Sequence, residues 1–201
     1  MREGYVALLT TACQSSGPSA PVGGNMPCLV VIGLLLIAHA SAAGQAQAPS
    51  EYEVKAIFLY RFSQFIEWPG PVSREPICIG IVGQDPFGGM LEQVVQGKLV
   101  NGREFVIKHF KPGPLARDCH MVFISSSERK RLRLILGSFQ GAAVLTVGDT
   151  PGFCQSGGVI NFELVNDSVR FEINIDATER AGLRMSSKLL SLAKVVRDAG
   201  P

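Results

Sequence analysis

Apolar residues along this chain switch between two spacings, and the switches mark the elements. Between residues 52 and 67, Val54, Phe58, Phe62 and Phe65 recur at helical intervals with Ile57 and Ile66 beside them, which predicts an amphipathic helix. Pro69 closes it by disfavouring the helical conformation at Trp68. The run ICIGIVG after Pro76 is continuously apolar and bounded by turn residues, so residues 77–82 are predicted as a buried strand. Asp85 and Pro86 read as the N-cap and first position of a short helix ending near Val95.

Alternation then returns. Residues 104–110 place Phe105, Ile107 and His109 against Val106, Lys108 and Phe110, a strand entered through the Asn101-Gly102 turn. Residues 121–124 are a further short strand. Ser127 reads as the cap of a helix through Leu136 that turns Leu132, Ile135 and Leu136 inward, and 142–147 as another strand. Residues 159–165 and 168–175 flank Asn166-Asp167 and are predicted as an antiparallel hairpin. Asp176 with Glu179 caps a short helical segment, Gly182 interrupts it, and Ser186 or Ser187 starts a last helix presenting Leu189, Leu192, Ala193 and Val196 on one face. Strand and helix alternate first, and a hairpin and terminal helix follow. The predicted class is α/β: a single domain with a mixed sheet of about six strands and flanking helices.

The amino terminus reads differently. The run LVVIGLLLIA at 29–38 holds about ten apolar residues, against the roughly 20 needed to span a bilayer, and Ala40-Ser41-Ala42 resembles a signal-peptidase site. Residues 1–42 are therefore predicted to be a cleaved signal peptide, an uncleaved anchor being the alternative. Met26 is a second candidate start, which would make 1–25 an extension. A linker at 43–50 precedes the domain at 51–199. The mature chain is therefore expected to be soluble and exported.

Composition narrows the function. The 201 residues are 46% hydrophobic and 18% charged, which excludes a disordered chain. A net charge of +2 gives no field for a dedicated nucleic-acid binder. Of five cysteines, Cys13 and Cys28 fall in the leader, leaving Cys78, Cys119 and Cys154, an odd number that cannot all pair.

Catalytic signals are sparse. His109 and His120 belong to no H-E-x-x-H or G-x-S-x-G pattern, and no catalytic, metal or cofactor residue is assigned. Asp118, Cys119 and His120 alternate faces if extended, so they cannot close a metal site alone. The glycines of residues 80–89 (GIVGQDPFGG) suit a tight strand-to-helix turn and lack P-loop spacing. Arg129, Lys130, Arg131 and Arg133 read as a solvated helix face.

Four stretches taken together resemble the YfiR family of exported α/β proteins: YEVKAIFLYRFSQFIEWP at 52–69, IGIVGQDPFG at 79–88, GG-x-INF at 157–162, and VRFEIN with AGLRMSSKLLSLAKVV between 169 and 196. The resemblance implies repression of an inner-membrane diguanylate cyclase, and so of cyclic di-GMP synthesis, by binding the cyclase's periplasmic sensing domain. It also implies sequestration of the repressor by an OmpA-type outer-membrane lipoprotein. A periplasmic small-molecule receptor feeding a sensor histidine kinase is the alternative.

The resemblance implies a bridge between Cys78 and Cys119. A second bridge in the family would start near Cys154, but Asn161 stands where its mate would be, so Cys154 is expected to be free or in an intermolecular bond. For partner contact, the strand at 168–175 sets Val169, Phe171, Ile173 and Ile175 on one face and Arg170, Glu172 and Asn174 on the other. Arg170 and Glu172, with Phe162 and Glu163 of the neighbouring strand, are the expected patch for a homodimer or the sensor domain, a wet sheet face being the alternative. Trp68 stands open between a core residue and a partner anchor.

Overall fold

A computed structural model describes residues 49–70, 75–111 and 117–198. The predicted signal peptide, its cleavage site and residues 43–48 of the linker lie outside the described residues. Helix α1 (Glu51–Phe65) starts where the Ser50 hydroxyl accepts the N–H of Glu53, with Glu51 and Glu53 set against its positive end. It stops at Phe65, earlier than predicted. Ile66 turns to an extended conformation because β1 (Ile66–Glu67) pairs antiparallel with β8 (Arg184–Met185), and the Phe65 carbonyl accepts the N–H of Ser186.

The buried face of α1 is also rotated from the predicted stripe. Lys55, Ala56, Leu59, Phe62 and Ser63 are buried, whereas Ile57 is 41% exposed. Lys55 is tolerated inside because its Nζ lies 2.9 Å from Asp149 Oδ2 and 4.3 Å from the centre of the Tyr52 ring. The Tyr52 hydroxyl donates to the same carboxylate at 3.0 Å, and burial together with that carboxylate pushes its phenol up to about 12.

Among the described residues seven strands form the main sheet, in the order β3 (Phe105–Phe110), β2 (Ile77–Val82), β4 (Met121–Ile124), β5 (Leu145–Gly148), β6 (Ile160–Val165), β7 (Ser168–Asn174) and β9 (Lys194–Val196). Strands β2, β3, β4, β5 and β6 run parallel, and β7 turns back antiparallel on β6. Alternate residues of β2 feed opposite faces: Ile79 and Ile81 pack with α1, and Cys78 and Val82 pack with the other side. The α1 face also takes Leu91 and Val95 of α2 (Met90–Val95), and the opposite face takes Leu132, Ile135 and Leu136 of α3 (Leu132–Ser138). Each layer buries large side chains, at about 1.5–3 kcal/mol apiece. The Phe153 ring is pressed so closely against β5 and the turn before β6 that a Cβ at Gly148 or Gly158 would run into it.

The α/β class and mixed sheet match expectation, but several bounds move. Asp85 caps only the N–H of Phe87, and α2 waits until Met90 because Gly88 and Gly89 take left-handed conformations between them. Ser125, not Ser127, caps the 3-10 turn Ser126–Arg131 that leads into α3, its hydroxyl accepting the N–H of Ser127, and β5 begins at Leu145 rather than 142. Asn174, not Asp176, caps α4 (Ile175–Arg180) by accepting the N–H of Ala177.

The largest correction is at the carboxyl end. Ser186 caps α5 (Ser187–Leu190) as expected, but residues 194–196 form β9 (Lys194–Val196), parallel to β7, instead of continuing the helix. The open edge of β7 offers backbone partners that would stay unpaired if the helix continued through residues 194–196. Leu192 is consequently 69% exposed and Val195 50% exposed.

A candidate recognition cavity around Trp68

The amino ends of β2 and β4 meet at the disulfide. Cys78 and Cys119 are bonded with their Cα atoms 4.6 Å apart, as the family resemblance implied. His120, next to Cys119, is locked from several directions. Its N–H donates to the Cys78 carbonyl at 3.0 Å, and its ring Nδ1 accepts the N–H of Cys78 at 3.1 Å. Its carbonyl accepts both the N–H of Leu145 at 2.9 Å and the indole Nε1–H of Trp68 at 2.8 Å. Trp68 stands edge-on to the imidazole with ring centres 5.7 Å apart.

Arg103 reaches the same ring from the other side. The turn predicted at Asn101-Gly102 forms with positive φ at both residues, 54° and 75°, and bridges Val100 to Arg103. That geometry delivers Arg103 Nε to the Glu75 carbonyl at 2.5 Å and Nη2 to within 2.7 Å of His120 Nε2. Nδ1 is thus held as an acceptor, and a second ring proton placed on it would point at the Cys78 N–H with no acceptor to receive it. Burial, with the Arg103 guanidinium beside it, holds the His120 pKa below the ordinary imidazole value, so the ring is neutral at neutral pH.

Around these groups opens a cavity of about 490 Å³, lined by Ser63, Trp68, Arg103, Arg117, Asp118 and His120 among others. Arg117 is anchored through the Gln140 carbonyl at 3.0 Å. An aromatic edge flanked by two fixed guanidinium groups is suited to recognition, since interfaces concentrate their binding energy on such anchors. Trp68 therefore takes neither extreme of the sequence reading: it is half-buried, held by one hydrogen bond and facing the cavity.

The hairpin residues do not assemble as expected. Phe162 is 3% exposed and pairs across the hairpin with Phe171, both rings packing on Phe58 and Phe62 of α1. It belongs to the sheet face opposite Arg170. Glu172 shares the Arg170 face but is only 1% exposed, beneath the segment carrying Cys154. Its carboxylate meets Asn161 Nδ2 at 3.5 Å and Lys194 Nζ at 3.4 Å. Of the expected patch, only Glu163 and Arg170 reach the surface, opposite each other across the hairpin.

Cys154 is free and buried, and burial followed by Glu172 raises its thiol pKa far above the usual value. A buried neutral thiol is closed to an intermolecular bond. Asn161, where a second bridge would end, instead lies 2% exposed beside Glu172. The cavity residues Arg103, Arg117 and His120 escaped the sequence reading as a set. The sequence singles out His120 only as a histidine beside Cys119 and marks the place of Arg103 only through the Asn101-Gly102 turn.

Fold and cavity together define a three-layer α/β domain whose most built surface feature is of the recognition type. The chain belongs to the YfiR/HmsC-like family, whose model matches residues 52–194.

Among solved structures, a conserved domain protein from Vibrio cholerae is similar at 10% identity with a TM-score of 0.54, over 73% of this chain and 60% of that one. The ABC domain in complex with L-Trp from Streptococcus pneumoniae is similar at 10% identity with a TM-score of 0.45, over 59% of this chain and 54% of that one. The chain thus spans between half and three fifths of these structures, and the first likeness concerns the fold alone. Among the described residues no helix is long and apolar enough to cross a membrane, and no three His, Cys, Asp or Glu side chains gather as metal ligands.

Proposed function

We propose that this protein is a periplasmic repressor that binds the periplasmic sensing domain of an inner-membrane diguanylate cyclase and lowers cyclic di-GMP synthesis. Family membership supports the signalling context. The observation that carries the reading is the Trp68 rim: an indole fixed by the His120 carbonyl at 2.8 Å beside Arg103 and Arg117. An OmpA-type outer-membrane lipoprotein competing for the repressor fits the same scheme, because a single anchor surface admits one partner at a time. Glu163 and Arg170, at the hairpin surface, form a smaller candidate contact for a homodimer or for the sensing domain. Residues 1–42 serve in this scheme as the signal that places the protein in the periplasm.

The test is cyclic di-GMP output in cells carrying the cyclase and either the parent or Trp68→Ala. The parent represses output, and Trp68→Ala, folded and exported equally, releases it. Repression that survives the substitution overturns the proposed contact. The cavity volume of about 490 Å³ also suits a small ligand, which favours a second reading as a receptor feeding a sensor histidine kinase. A saturable small-molecule thermal shift abolished by Arg103→Ala, without any cyclase binding, would select it.

A further inference from the structure

Four cations, Arg129, Lys130, Arg131 and Arg133, occupy five consecutive positions on the 3-10 turn and the start of α3, and all are exposed. A solvated face explains exposure but not three further features. Among the described residues the segment has a single ion pair, Arg131 to Glu128 at 3.8 Å, and Arg129, Lys130 and Arg133 have none. Uncompensated like charges this close repel one another. The segment also walls a cavity of about 480 Å³ whose other side is Thr150, Pro151 and Ser156. Finally, Thr150 lines that cavity at 1% exposure, and its Oγ1 lacks a hydrogen-bond partner among the described residues. Buried hydroxyls left unpaired are rare in folded proteins.

We propose that this cavity binds a phosphate-bearing anion. Arginine and lysine supply charge-assisted donors matched to phosphate oxygens, the Ser156 hydroxyl supplies a neutral one, and a side-chain rotation brings the buried, unpaired Thr150 hydroxyl to the ligand. Leu134, next to Arg133 and 71% exposed, adds an apolar contact of the kind a phospholipid offers beside its headgroup. Two sources share this chemistry, the headgroup of an anionic lipid and a free phosphate ester. The site lies on residues distinct from the Trp68 cavity and does not rest on the cyclase reading.

The experiment compares the full chain with Arg129→Gln/Arg133→Gln and with Thr150→Val. Co-sedimentation uses vesicles of phosphatidylglycerol with phosphatidylcholine, against phosphatidylcholine alone. A parallel titration uses inorganic phosphate and glycerol 3-phosphate, followed by amide chemical shifts. Binding in the vesicle arm identifies a headgroup, and binding only in the soluble arm identifies a free phosphate. In either arm the double variant should bind about 25-fold more weakly, at roughly fivefold per cation, and added salt should weaken the parent. Thr150→Val should weaken binding while leaving thermal stability equal or higher, since it removes an unpaired buried hydroxyl. No saturable binding in either arm, or binding indifferent to both variants, overturns the proposal.

Discussion

At the amino ends of β2 and β4, Trp68, Arg103 and His120 meet around an open cavity. On the outer face of β7, Glu172 and Asn174 lie beneath Cys154 and beside β9. Both regions place polar side chains among apolar strands, yet one presents them and the other encloses them. The enclosed set is internally satisfied: Asn174 Nδ2 donates to the Cys154 carbonyl and to Asp198, each at 2.8 Å, while its Oδ1 caps α4. Buried polar groups so paired specify how the last 25 or so residues dock, and have nothing left for a partner. The open set holds its groups in place through backbone atoms and leaves the Trp68 edge and the two guanidinium groups facing outward. Polar alternation alone therefore does not mark an interface. What covers the polar face decides.

The largest effect expected is at the bridge that anchors the open region. Cys78 and Cys119 are 41 residues apart, and the chain-entropy estimate for such a loop is about 4 kcal/mol, an upper figure. Cys78→Ser/Cys119→Ser should lower the urea midpoint strongly and shift the fluorescence of Trp68, the single tryptophan. Cys154→Ser should leave the Trp68 signal where it is. If both variants move Trp68 equally, the two regions are not independent.

Next comes the enclosed region. Asn174→Ala removes a helix cap and two further hydrogen bonds and should cost about 2–3 kcal/mol, measured by denaturant unfolding. Arg170→Glu, two pleat repeats from Asn174 on the same face, places like charges opposite each other at Glu163 and should cost no more than about 1 kcal/mol. Equal costs would erase the distinction between covered and wet positions along β7.

The smallest effect concerns pH. His120 is held below its ordinary value of 6.5, so on acidification the unfolded chain takes up this proton before the folded chain does. Stability from this residue is complete above the unfolded value and is lost as pH falls below it through the lower folded one. His120→Asn should flatten that part of the stability profile in pH-dependent melting. A parent profile already flat there would contradict the neutral, doubly faced imidazole.

Much of the scaffold was legible from side-chain period, because β2, β4 and the β6–β7 hairpin obey local rules: continuous burial, or alternation around an Asn166-Asp167 turn with both φ values positive. Three failures share a cause. The α1 stripe was read one notch around because Lys55 and Ser63 are polar yet buried, paid for by Asp149 and by the Tyr60 carbonyl, which no local pattern reveals. Residues 194–196 have helical spacing, but the free edge of β7 claims them. Glu172 alternates with apolar neighbours, and its cover comes from the distant Cys154 segment. The Trp68 cavity needed the same kind of knowledge, since Arg103, Arg117 and His120 converge through the sheet order and not through spacing.

The central claim is that the open region, and not the hairpin, carries the regulatory contact. Its most direct test is the equilibrium affinity of parent, Trp68→Ala and Arg170→Glu for the purified periplasmic domain of the cyclase, each variant first shown to melt near the parent temperature. Loss of a central aromatic anchor should weaken binding about 30-fold, and Arg170→Glu should change it by no more than a few fold. Parent-like affinity in Trp68→Ala together with a large loss in Arg170→Glu would contradict the account and return the contact to the hairpin.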